Sequence, residues 1–354
     1  MQFAMAFKII GVLLILFSTA MLPSLFLSLA AKDGIESAFA TGLATTLFAG
    51  VMLWLPTRHL SRDLNIRDGF LVTALFWIVL GLFGAIPLWL SPGLELSPVA
   101  AIFESISGLT TTGATVITGL DTLPQSILLY RQLLQWLGGI GIIVLAVAIL
   151  PMLGIGGMQL YRAESAGPSK DRKLTPRITS TAKALFGIYL LLPIACTASY
   201  FAAGMSAFDA VCHAFSTVAI GGFSTHDASL GYYEQNRVLL VSSVFMLLSA
   251  VNFGLHFIAL QRRNVRVYAR DSETAFFITV IALATVVVCC LLLTTETLDV
   301  ENSIIHGLFQ TISIATTTGF TTQDFSVWPL FLPILLLILS FMGGCVGSTG
   351  GGMK

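Results

Sequence analysis

The sequence predicts an all-α polytopic membrane protein: tandem helix–pore loop–helix units set around a central path, preceded by two extra transmembrane helices. Three observations carry that prediction. Of the 354 residues, 56% are hydrophobic and only 10% charged, where soluble domains carry about 25% charged residues. The apolar residues fall in long uncharged runs, and the mean hydropathy is +0.89. One short pattern also returns three times between those runs.

The runs come first. A hydrocarbon core takes roughly 20 apolar residues as helix. Runs at 5–30, 36–56, 70–91, 125–150, 180–203, 237–260, 273–294 and 328–342 reach or approach that length. The lipid bilayer is therefore the first partner implied. The formal net charge is zero, so nothing argues for a nucleic-acid partner. Cys196, Cys212, Cys289, Cys290 and Cys345 form no paired C-x-x-C motif and read as free thiols in apolar surroundings.

Charge position then sets the topology. Arg58, Arg62 and Arg67 share one loop. Arg162, Lys170, Arg172, Lys173, Arg177 and Lys183 share the next on that side, and Arg262, Arg263, Arg266 and Arg270 a third. With Lys8 and Lys354, all the basic residues except Lys32, Arg131 and Arg237 fall on one side. The positive-inside rule makes that side cytoplasmic. Arg131 lies near the start of the fourth run and is expected to snorkel outward along its stem. His256 sits in an apolar run and is expected to bond between helices.

The outer connections hold the repeat. Residues 99–109 are apolar, helix-compatible and too short to span, and they end in Thr110-Thr111-Thr112-Gly113-Ala114-Thr115. Residues 207–218 lead in the same way to Ala219-Ile220-Gly221-Gly222-Phe223-Ser224. Residues 303–314 lead to Ala315-Thr316-Thr317-Thr318-Gly319-Phe320-Thr321. Aligning Gly113, Gly222 and Gly319 brings Ser107, Ser216 and Ser313 into register six residues earlier, and Thr115, Ser224 and Thr321 two residues later. Glu104, His213 and Gln310 also share one position, and Asp121, Asp227 and Asp324 follow the loops. Each unit is span, half-span helix, glycine loop, span.

That grammar has a physical use. Irregular backbone at membrane depth survives only when buried in protein or lining a watery cavity. A short helix entering from outside aims its negative carbonyl end inward. The loop after it can offer carbonyl oxygens in place of an ion's hydration shell, with glycine supplying positive φ and hydroxyls tying the backbone down. The candidate potassium-binding residues are Thr110, Thr111, Thr112 and Gly113; Ala219, Ile220, Gly221 and Gly222; and Thr316, Thr317, Thr318 and Gly319. The domains read as 1–64 for two N-terminal helices, 65–155 for the first pore unit, 156–176 for a cytoplasmic loop, 177–262 for the second unit and 263–354 for an incomplete third.

Glu104–Thr115, Ala219–Asp227 and Thr316–Thr322 resemble the first three pore loops of the Trk/Ktr/HKT superfamily. Gly156–Glu164 and the two extra helices are similar to its TrkH branch. The run Gly343, Gly344, Cys345, Val346, Gly347, Ser348, Thr349, Gly350, Gly351 and Gly352 resembles the family's intramembrane gating loop. The resemblance implies potassium uptake across the bacterial inner membrane, four pore units around one path, a homodimer, and a cytosolic nucleotide-binding partner, TrkA. It implies potassium as the transported ion, with no bound cofactor. In the family, glycine in every filter loop accompanies potassium selectivity, and serine in the first accompanies sodium. The chain is expected to be a piece of a longer one, ending before a fourth filter loop and the pore-facing arginine of the last helix.

Competing readings have weaker support. The terminal glycines fail the phosphate-loop pattern G-x-x-x-x-G-K-[ST]. Gly343-x-x-x-Gly347 and Gly347-x-x-x-Gly351 allow close helix packing as the alternative to a gate. His213, His226, Asp227, Glu104 and Asp209 lie on the outer side, but no H-E-x-x-H or G-x-S-x-G motif accompanies them. A non-conducting membrane scaffold is the third class.

Overall fold

The computed structural model describes residues 3–60, 66–139, 141 and 178–353. Every regular element among them is helical. The basic segment from Arg162 to Arg177, the similarity at Gly156–Glu164 and the end of the 125–150 run lie outside the described residues. The chain divides into two compact units, one holding the elements before residue 140 and the other formed from residue 184 on.

The first unit begins with α1 (Phe3–Thr19) and α2 (Leu22–Ala31), which together make a 28-residue apolar stretch, Ala4–Ala31. Then come α3 (Glu36–Trp54), α4 (Ile66–Leu90), the short α5 (Pro98–Leu109) and α6 (Gln125–Gly139). Small residues bring these helices close. A β-carbon on Gly11 would lie 2.7 Å from the Trp54 nitrogen, and one on Gly42 would lie 2.6 Å from the Pro87 ring. Close approach of this kind favours helix association where lipid removes the hydrophobic drive. Phe39 and Tyr130 meet edge-on at 5.4 Å, and the Tyr130 hydroxyl donates to the Gly84 carbonyl at 2.8 Å. The buried Lys8 ammonium donates to the Leu60 carbonyl at 2.6 Å. That contact puts Lys8 and the loop after residue 57 at one end of the unit. At the other end Asp33 accepts from the hydroxyls of Ser28 and Ser126, joining α2 to α6.

The second unit holds α7 (Ile178–Ala203), the short α8 (Ala207–Ala219), α9 (Asn236–Ala250), α10 (Phe253–Arg262), α11 (Arg266–Arg270), α12 (Ser272–Thr294), α13 (Val300–Ala315) and the short α14 (Leu332–Met342). The 237–260 run, expected as one span, is two helices bent by 96° at Val251-Asn252. Two features explain the break. Asn252 caps α10 by accepting the Gly254 N–H at 2.7 Å. The carbonyl of Ala250, orphaned at the end of α9, accepts the Cys345 N–H at 2.8 Å. A helix end can stop inside apolar surroundings when other backbone supplies the missing partners. His256 bonds both to the Leu248 carbonyl in α9 and to the Tyr268 hydroxyl in α11, each at 2.8 Å.

Candidate functional site: three glycine loops and a broken helix

Each short helix starts at a side-chain cap. Ser97 accepts from the Ala100 N–H, Ser206 from the Asp209 N–H, and Asp299 from the Asn302 N–H. Such caps satisfy orphan donors at a helix start. At their far ends the three helices open into loops of one geometry. The carbonyls of Ser107, Ser216 and Ser313 accept from the N–H groups of Thr112, Gly221 and Thr318, each at 2.9 Å.

The backbone then alternates in hand. Thr111, Ile220 and Thr317 have φ of +53°, +54° and +68°. Gly113, Gly222 and Gly319 have φ of +75°, +79° and +82°. The residue between each pair is not left-handed. Alternation of hand over four residues turns successive carbonyls toward one side, the arrangement an ion filter requires. Glycine in the sequence signalled only the second left-handed position. Two threonines and an isoleucine hold the first, against a penalty of roughly 1–2 kcal/mol for an L-residue, and no sequence rule would have found them.

Hydroxyls pin these loops. Ser107 donates to the Ala114 carbonyl and Ser313 to the Phe320 carbonyl, at 2.5 and 2.7 Å. Thr110 and Thr112 share a hydrogen bond of 2.8 Å, as do Thr316 and Thr318. In the second loop Ala219 and Gly221 carry no hydroxyls, so the side-chain bond across those two positions is absent there. A β-carbon on Gly222 would sit 2.0 Å from the Thr318 carbonyl oxygen, so the second and third loops meet backbone to backbone.

Behind the first loop stands a buried ion pair. Glu104 Oε1 lies 2.8 Å from Arg131 Nε, with both side chains fully buried. The Thr115 hydroxyl donates to Glu104, and Arg131 Nη2 donates to the Thr115 oxygen at 3.0 Å. Arg131 therefore does not snorkel outward as expected. A charge far from water is tolerated when paired and hydrogen-bonded, and Glu104 one helix away supplies the pair. A signal was available: both charges fall in apolar runs, where an ionisable residue calls for a partner.

In the second repeat His213 holds the corresponding place. Its Nε2 lies 2.9 Å from Ser224 Oγ and its Nδ1 lies 2.9 Å from the Asp209 carbonyl. The Asp209 carboxylate accepts from the Thr225 hydroxyl instead of orienting the imidazole. Serine and histidine are thus scaffolding here, without the base-orienting carboxylate of a hydrolytic triad.

The terminal glycine run is not helical between 343 and 353, which removes the helix-packing alternative. It folds against the second and third loops where they leave their short helices. The Thr349 hydroxyl donates to the carbonyls of Val218 and Ser249, at 3.0 and 3.2 Å. The Gly351 N–H donates to Thr317 Oγ1 at 3.0 Å. The Gly347 carbonyl accepts from Phe253 N–H at 3.0 Å, and Glu273 accepts from Val346 N–H at 2.6 Å. A β-carbon on Gly343 would stand 1.9 Å from the Gly351 carbonyl oxygen, so the loop closes on itself only with glycine there.

On the other side of the second and third loops lies a cavity of about 430 Å³ lined by Asp227, Thr321, Thr322, Gln323 and Asp324 among others. The Ser326 hydroxyl beside Asp324 holds its carboxyl below the ordinary range, and the Asn302 amide does the same for Asp299. Asp324 therefore carries its charge at neutral pH.

Residues 35–354 match the family model of TrkH, described as a cation transport protein. Over its whole length the chain is 54% identical to the Trk system potassium uptake protein TrkH of Halomonas elongata, covering 73% of that protein. It is 51% identical to the protein of the same name from Escherichia coli K12, covering 74% of it. The crystal structure of the potassium transporter TrkH from Vibrio parahaemolyticus matches all of this chain with a TM-score of 0.89 at 51% identity, over 73% of that chain.

Proposed function

The chain belongs to the TrkH family of cation transport proteins, and from that premise we propose that it takes up potassium across the bacterial inner membrane through filters made of its glycine loops. The multi-pass architecture fits a membrane transporter: among the described residues five helical stretches are long and apolar enough to cross a bilayer, and the bent α9–α10 pair makes a sixth candidate. The observation that carries the reading is the backbone of alternating hand, repeated at Thr110–Gly113, Ala219–Gly222 and Thr316–Gly319. Carbonyls held in that way replace water around a potassium ion. Pore-helix ends add about half a negative charge each, and the hydroxyl pins described above fix the loops before an ion arrives.

In this reading residues 343–352 are the gate. They lie against Val218 and Thr317, at the inner ends of two filters, and must move for an ion to pass. The ties described above are individual hydrogen bonds, each worth about 0.5–1.5 kcal/mol between neutral groups, so they can be exchanged one at a time. The exposed Arg262, Arg263, Arg266 and Arg270 form a basic face at α10 and α11, on the side assigned to the cytosol. That face suits docking of the cytosolic subunit TrkA, and the transporter acts as a homodimer.

The direct test is ion flux in liposomes carrying the full-length protein. Gly113→Ser should admit sodium more freely while potassium still passes. An unchanged sodium-to-potassium permeability ratio would remove the filter assignment.

A further inference from the structure

We infer that the turn at Ser229–Gly231, in the outer limb of the second repeat, positions the third filter loop and so sets part of its discrimination between potassium and sodium. The inference rests on the filter reading above. It begins from a difference at one aligned position. Two residues beyond the filter glycine, Thr115 is gripped by Glu104 and Ser224 by His213. Both grips come from the pore helix of the same repeat.

In the third repeat the grip at that position is missing, while His306 of the same helix lies 2.9 Å from the hydroxyl of the next residue, Thr322. Gln310 occupies the aligned position, fully buried, and among the described residues neither atom of its amide finds a partner. Thr321, the residue it would hold, is held from another repeat. The Thr321 N–H donates to Ser229 Oγ at 3.2 Å, and its carbonyl accepts from the Gly231 N–H at 3.1 Å. The fit is close. A β-carbon on Gly231 would lie 2.8 Å from the Thr322 carbonyl oxygen and 3.2 Å from the Thr322 α-carbon.

Ser229 itself has φ of +54°. A non-glycine residue keeps such a conformation only where its surroundings impose it. Here the conformation brings the hydroxyl to Thr321. Gly319, two residues inward, has nothing within 4 Å of the place a β-carbon would take, so no neighbour braces it from that side. Thr321 connects to Gly319 through the single residue Phe320, whose carbonyl Ser313 holds at 2.7 Å, so a shift at Thr321 is passed along that short pinned segment to the filter glycine. Carbonyl position decides which ion a filter accepts, which makes the turn a positioning element for the third loop.

The test compares Ser229→Gly and Gly231→Ala in the full-length protein reconstituted in liposomes. Ser229→Gly accepts the left-handed backbone and removes only the hydroxyl. Gly231→Ala adds the crowded β-carbon. Potassium and sodium fluxes are measured separately, with the amount of protein in the membrane as a control for folding. The potassium-to-sodium ratio should fall about two- to ten-fold in Ser229→Gly, the scale of one lost hydrogen bond, with protein amount unchanged. A ratio equal to wild type in both variants would overturn the inference. Gly319→Ser in parallel separates the two claims. A shift there without a shift in the turn variants leaves the filter standing and removes the turn, whereas no shift in any of the three removes the filter reading itself.

Discussion

In the first repeat a buried ion pair joins the short helix, its loop and the next helix; in the third the same position carries an amide that bonds to no group among the described residues. The backbones of the two loops nonetheless agree, with left-handed residues at matching places. The geometry of these loops is therefore not dictated by one supporting constellation. Short-range ties such as Ser107 to Ala114 and Ser313 to Phe320 recur, while the longer-range brace is free to vary. The variation sets how each loop can fail: the first through loss of charge balance within its own repeat, the third through a neighbouring turn that shares the hold with His306 of its own helix.

The largest expected effect breaks the braced side of this comparison. Arg131→Met leaves Glu104 buried without its cation, and removing one partner of a buried pair costs about 3–5 kcal/mol. The variant should lose most of its thermal stability in detergent, and potassium uptake with it. Glu104→Met together with Arg131→Met should recover part of that stability, because no unpaired charge remains. Wild-type melting in Arg131→Met alone would mean the pair does not support the first loop.

A second contrast lies within the second unit. Gly222 and Gly319 share a positive φ but not their surroundings. A serine at 222 would drive its β-carbon into the Thr318 carbonyl, whereas a serine at 319 meets open space. Gly222→Ser should therefore fail to accumulate in the membrane. Gly319→Ser should fold with a strain of roughly 1–2 kcal/mol and lose ion discrimination. Equal membrane levels of the two variants would show that the second and third loops do not press on each other as described.

Gln310→Leu probes the unbraced side directly. A buried amide without partners costs about 1–3 kcal/mol, so an apolar residue of similar size should leave thermal stability unchanged or raise it slightly. The equivalent change at Glu104 should destabilise strongly. A large loss in Gln310→Leu would mean that the amide has a partner and that the third loop is braced like the first.

Much of this was legible in the residues. Most of the long apolar helices, the three short helices and the three loops of one backbone geometry follow from hydropathy and from aligning Gly113, Gly222 and Gly319. Three features were not. The break after Ala250 was hidden because residues 237–260 are uniformly apolar, and the partner of the freed carbonyl, Cys345, lies far along the chain. The left-handed Thr111, Ile220 and Thr317 are residue types that ordinarily avoid that conformation. The burial of Arg131 was missed because a span-end arginine was weighed alone, without Glu104.

The smallest expected effect lies at the mouth of the cavity beside the third loop, where the comparison turns to charge. Asp324 lines the cavity beside the third loop together with Asp227, and its Ser326 hydrogen bond depresses its carboxyl. The sign follows: a depressed carboxyl keeps its charge as pH falls through the ordinary carboxylate range and loses it only below. Any attraction of cations to this mouth should therefore persist through mildly acidic pH. The side chain is solvent-exposed, so salt screens it within about 8 Å at physiological ionic strength. Asp324→Asn should then lower the initial rate of potassium uptake no more than about two-fold at low salt, with no difference near 0.15 M. Selectivity should not change, because the carboxylate acts on approach and not on the dehydrated ion. A changed potassium-to-sodium ratio in Asp324→Asn would place Asp324 among the groups that shape the third filter and end the distinction between its mouth and its loop.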